Sequence, residues 1–142
     1  MKAFHFRLDQ ALRWRETQAS LQKSRVAAAV GRLAEIDRAL ENERASLTAA
    51  SSGIVDNPAG HSLQSFAAFR DRTRARIRDL EGQSLVARRN VGLEMTSLIE
   101  ATRKVRVLEN LKQADQTRWR QDLDRELAAF ADEAFLSRLQ LK

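Results

Sequence analysis

The sequence predicts an all-α fold, a long two-helix antiparallel coiled-coil hairpin with a C-terminal helix overhang, and three observations lead there. The first is composition: 142 residues hold 5 Gly, 1 Pro and 31% charged side chains, and much of the 43% apolar share is Ala, a mixture suited to long helices around a thin seam. The second is a heptad repeat. With a positions at 77, 84, 91, 98 and 105 and d positions at 80, 87, 94, 101 and 108, eight of ten seam sites are apolar, and only Ser84 and Glu94 interrupt them. A stripe that keeps a period of seven drifts around a straight helix, so it favours a left-handed supercoil with a partner. The third is a single cluster of turn-forming residues that divides the chain unequally.

Taken in order, the first helix is expected over about residues 8–50. Leu12, Ala19, Val26, Leu33, Leu40 and Leu47 recur every seven residues, while the companion positions Arg15, Gln22, Ala29, Ile36, Glu43 and Ala50 are mixed, giving half of a good seam beside half of a wet one. Residues 51–62 contain the only Pro and two glycines among Ser, Asp and Asn, so the chain is expected to reverse there. Asn57 before Pro58, or Ser62, is the expected cap of the next helix. That helix spans about residues 63–139, and residues 8–40 are the expected partner of its heptads. The whole of 1–142 is read as a single coiled-coil domain.

The arms are unequal. At ~1.5 Å per residue the first is roughly 65 Å and the second roughly 115 Å long, which leaves about 30 C-terminal residues without an intramolecular partner. This overhang carries Trp119, Leu123, Leu127, Phe130 and Ala134, with Phe135 and Leu139 nearby. An apolar stripe exposed alone is a binding face. Phe4, Phe6 and Trp14 fall towards the same end of the hairpin, and Phe66 and Phe69 follow the turn. Aromatics gathered at the two ends mark contact surfaces, because a narrow seam prefers aliphatic knobs. Gly31 and Gly82 are expected to lie roughly opposite each other, as a close approach of the helices or as tolerated substitutions.

Several chemistries are set aside. Cys is absent, which excludes disulfides and thiolate sites and fits a reducing compartment. No secretory signal is visible, and the longest apolar run, Val26 to Val30, is far shorter than the ~20 residues of a membrane span. His5 and His61 lack a metal-ligand spacing, Asp132 and Glu133 point about 100° apart on a helix, and no phosphate-cradling loop or catalytic motif occurs. The expectation is a protein without catalytic residues, cofactor or metal. The net charge of +6 suits acidic partners. Arg70, Arg72, Arg74, Arg76 and Arg78 resemble a basic region leading into a zipper, but a spacing of two splits them between helix faces. A solvated surface is the preferred reading over nucleic-acid binding.

The chain's two ends resemble the flagellar export protein FliJ family. The resemblance rests on residues 2–16, Lys-Ala-Phe-His-Phe-Arg-Leu-Asp-Gln-Ala-Leu-Arg-Trp-Arg-Glu. It rests also on Ala101-Thr-Arg-Lys104, on Val107-Leu-Glu109-Asn-Leu111-Lys112, and on Glu126 with Asp132-Glu133. The chain departs from the family at Gln113-Ala114-Asp115, where basic residues are common, and in the 51–62 turn. The resemblance implies a non-enzymatic stalk and adaptor, similar to the central stalk of rotary ATPases. It would be cytoplasmic and peripheral at the inner-membrane export apparatus. It would insert in the ring of the export ATPase FliI, alongside its regulator FliH, contact the export-gate protein FlhA, and escort export chaperones. The ring face would comprise Phe4, Phe6, Trp14, Arg118, Trp119, Arg120, Leu123, Leu127 and Phe130, and the gate face Phe66, Phe69 and Arg70. The free protein is expected to be a monomer. The equivalent stalk of a virulence-type secretion system, or a basic coiled-coil nucleic-acid binder, are the alternatives.

Overall fold

A computed structural model of the chain describes residues 3–56 and 60–140, without the side chains of His61 and Gln140. It is an all-α two-helix hairpin: α1 runs Asp9–Asp56 and α2 runs Gly60–Gln140, with no strand among the described residues. The helices form two compact units. Leu21–Leu98 make one, and the residues up to Ser20 with those from Ile99 make the other.

Within Leu21–Leu98 the two helices run antiparallel. Gln22 pairs with Glu94, Asp37 with Ser84 and Arg44 with Glu81, so partner numbers fall on α2 as they rise on α1, and Arg76 reaches Glu43 nearby. All ten heptad positions from Ile77 to Leu108 are buried or half-buried. So are both rows of α1, Leu12 to Leu47 and Arg15 to Ala50. The row read as wet belongs to the seam, and Gln22, Ala29 and Ile36 are more buried than Ala19, Val26 and Leu33 beside them.

The polar seam positions are matched across the helices. Ser84 Oγ donates to Asp37 Oδ1 at 2.8 Å, and Gln22 Nε2 donates to the backbone carbonyl of Glu94 at 3.0 Å and to its carboxylate. Sliding one arm by a heptad would leave these groups without partners, at a cost of about 1–3 kcal/mol for each buried polar group, so they fix the register. The ion pairs Arg44–Glu81 and Arg76–Glu43, both 2.8 Å, are largely exposed and add little stability.

The helices are longer than expected at the turn. Residues 51–56 are helical because Ser51 and Ser52 turn their hydroxyls back to the carbonyls of Leu47 and Thr48, at 2.8 and 3.2 Å, instead of competing for backbone donors of a turn. Helix α2 already begins at Gly60, so Ser62 lies inside it rather than capping it. The expected cap at Asn57 and Pro58 lies outside the described residues. Gly31 and Gly82 do not face each other: the flanking pairs Gln22–Glu94 and Asp37–Ser84 put Gly31 opposite residues between 84 and 94. A Cβ at either glycine would meet nothing within 4 Å, so neither marks a close approach.

In the other unit the residues before α1 pack on α2. Asp9 N donates to the Phe6 carbonyl at 3.2 Å and Leu12 N to the Leu8 carbonyl at 2.9 Å, which starts the helix with Asp9 in its first turn, where a carboxylate favours the helix dipole. Phe6 is 4% exposed, and the rings of Phe4 and Trp119 meet with centroids 6.0 Å apart. Beyond Leu108, as far as Leu123, the half-buried positions are Lys112, Gln116, Trp119 and Leu123. The step from 108 to 112 to 116 inserts an extra four-residue interval, a stutter that locally unwinds the supercoil. From 124 to 140, only Ala134 among the described side chains is better than exposed. The overhang is therefore real but shorter than the ~30 residues given by helix lengths alone, because residues 3–8 extend the cover of α2 to Trp119.

Candidate functional site

The nine residues expected on the ring face divide into two groups. Phe6 is core, and Phe4 and Trp119 are half-buried against each other, so these three hold the N-terminal segment on α2 before they can offer anything to a partner. That revises the sequence reading, which placed Trp119 outside the intramolecular packing. Lys112 strengthens the attachment: its Nζ donates to Asp9 Oδ1 at 3.0 Å and lies 6.0 Å from the centre of the Phe6 ring. This hydrogen bond, ahead of the charges of Lys112 and Arg13, holds the Asp9 carboxyl below its usual pKa.

The other ring-face residues are available. Leu127 and Phe130 are 56% and 72% exposed, Arg118 and Arg120 are exposed, and Leu123 is half-buried at the head of the stripe. Leu123, Leu127, Phe130 and Ala134 follow at four, three and four residues and share one helix face. Trp14 is 53% exposed with the Arg15 guanidinium 4.7 Å from its ring centre, an amphipathic contact surface.

At the turn end, Phe66 and Phe69 are half-buried and line a recess of about 380 Å³ with Ala50, Gly53, Ile54, Ser62 and Ser65. Arg70 beside them is paired with Asp71 through Nε and Nη2, both 3.1 Å from Oδ1. The arginine run is thus partly neutralised, since Arg76 is also paired with Glu43. Both faces are concave or amphipathic surfaces suited to an apolar side chain from another protein. Among the described residues no cluster of three or more His, Cys, Asp or Glu could hold a metal ion, and no helix is long and apolar enough to cross a membrane.

The sequence reading missed a third surface. Between the helices of Leu21–Leu98 lies a groove of about 710 Å³ floored by Ala29, Ile36, Gly82, Val86, Ala87 and Leu93 and edged by Arg32, Arg78 and Arg89. Its signal was present in the chain: Val86 and Leu93 stand seven apart at c positions, which a two-helix seam leaves to solvent, and they are 69% and 64% exposed. Comparison with protein-family models, curated proteins and solved structures found no match for this chain.

Proposed function

We propose that this chain is a non-enzymatic stalk and adaptor of a flagellar type III export apparatus, the role implied by its resemblance to FliJ. The exposed pair Leu127 and Phe130, continuing the stripe from half-buried Leu123 on a stretch of α2 that is otherwise exposed, is the observation that carries the reading. An apolar helix face left in water has free energy to gain by docking, at about 25 cal/mol per Å² of apolar surface removed from water. In this reading the stripe, flanked by Arg118 and Arg120, enters the ring of the export ATPase, and the Phe66 and Phe69 recess meets the export gate. Differential contact with the ring subunits biases ring assembly and nucleotide turnover, which is a coupling of free energies between sites and requires no nucleotide on the stalk itself.

Purified chain mixed with export ATPase tests this. The expected result is faster ATP hydrolysis and more ring assembly, both reduced by Phe130→Glu and restored by Phe130→Leu. Hydrolysis and assembly unchanged by the chain at any ratio would refute it. The nucleic-acid alternative predicts tight duplex binding that falls steeply with salt, and the pairing of Arg70 and Arg76 with carboxylates weighs against it.

A further inference from the structure

The groove and the C-terminal stretch of α2 are complementary in charge and in spacing. The groove's apolar floor is edged by Arg32, Arg78 and Arg89, none of which has an ion-pair partner among the described residues. Its one acidic edge residue, Asp79, accepts a hydrogen bond from Gln83 at 2.9 Å. The stretch from Asp122 has the opposite character. Five acidic residues, at 122, 124, 126, 132 and 133, stand against Arg125, which pairs with Asp122 at 3.5 Å on the exposed surface, Arg138 and Lys142, in a chain whose net charge is +6. Asp122, Glu126 and Glu133, at intervals of four and seven, form a column along one flank of the Leu123–Leu127–Phe130 stripe.

The spacings agree as well. Arg78 and Arg89 are eleven residues apart on α2, and so are Asp122 and Glu133, a rise of ~16 Å in both cases. Between the two arginines sits Gly82, a gap in the groove floor where even a Cβ meets nothing within 4 Å. Between the two acids sits Phe130, the most exposed aromatic of the described residues.

We infer that the acidic, amphipathic C-terminal stretch of one copy docks in the arginine-edged groove of a second copy, with Phe130 seated over Gly82. Helix α2 runs unbroken from Gly60 to Gln140, so a chain could fill its own groove only by breaking that helix, whereas a second copy requires no rearrangement. The contact is heterologous, joining two different surfaces. It replaces the free monomer of the sequence reading with a self-associated form that keeps the stripe covered until another partner competes for it. It stands on the groove and the stretch alone and does not depend on the export reading.

Sedimentation velocity of the full chain over a wide concentration range, with circular dichroism to check the fold, tests the contact. The wild-type chain is expected to self-associate, and raised salt to weaken that association. Gly82→Leu fills the groove in open space and Phe130→Glu spoils the anchor, and each is expected to weaken association about tenfold or more. The two variants mixed are expected to form a heterodimer, because one retains a groove and the other a stretch. The double reversal Arg78→Glu with Arg89→Glu is likewise expected to pair with Asp122→Arg with Glu133→Arg. A wild-type chain that stays monomeric throughout overturns the inference. So does Gly82→Leu that associates as well as wild type, which would indicate pairing of two C-terminal stretches, or a mixture of variants that forms no heterodimer. Stimulation of the export ATPase is a separate readout, and Gly82→Leu leaves its stripe intact.

Discussion

Replacing Gly31 or Gly92 with alanine should stabilise the hairpin, and the structure fixes both sign and size. Each glycine lies inside a long helix, has no positive φ, and would place a Cβ where no heavy atom comes within 4 Å. No steric cost offsets the gain, and no packing adds to it. What remains is the intrinsic difference between glycine and alanine in a helix interior, about 1 kcal/mol at each site, which arises because alanine has less backbone freedom to lose on folding. Thermal melting followed by helical circular dichroism should rise by roughly 2–4 °C for each single variant, on the scale expected for a domain of about this length. The urea midpoint should rise with the slope unchanged. A lower midpoint for either variant would show that the position is a close approach of the helices after all, and would refute the open surface assigned to it.

Three further outcomes follow from the packing. Leu12→Ala, in a seam with five buried apolar side chains among the described residues, should cost about 2–4 kcal/mol in chemical denaturation; a cost below 0.5 kcal/mol, the surface range, would mean that the seam does not close there. Trp119→Glu should release the N-terminal segment, read as faster amide exchange at Phe6 and Asp9, while Leu127→Ser leaves exchange there unchanged; equal effects would deny the division between packed and free aromatics. For Asp9 the folded pKa is depressed, first by the Lys112 hydrogen bond. Its contribution is therefore complete above the ordinary aspartate pKa of about 3.9 and is lost as pH falls through the lower folded value. Trp119 fluorescence in a Trp14→Phe background should shift in that acid window, and Asp9→Asn should abolish the dependence.

The chain by itself determined the fold class, the heptad register of α2 and the uncovered apolar stripe at Leu127 and Phe130. Each is a repeat along one helix, set by 3.6 residues per turn and visible without knowing what lies opposite. Tertiary structure decided everything that depends on one helix facing another. Sliding one arm by seven residues preserves both stripes, so nothing in either arm alone could match Ser84 with Asp37 or Gln22 with Glu94. Nor could it admit Arg15 and Glu43 to the seam, set Phe4 on Trp119, or open a groove over Gly82. The polar partners across the seam select one register among those that hydrophobic spacing permits, because an unmatched buried polar group is costly while a displaced leucine finds another apolar neighbour.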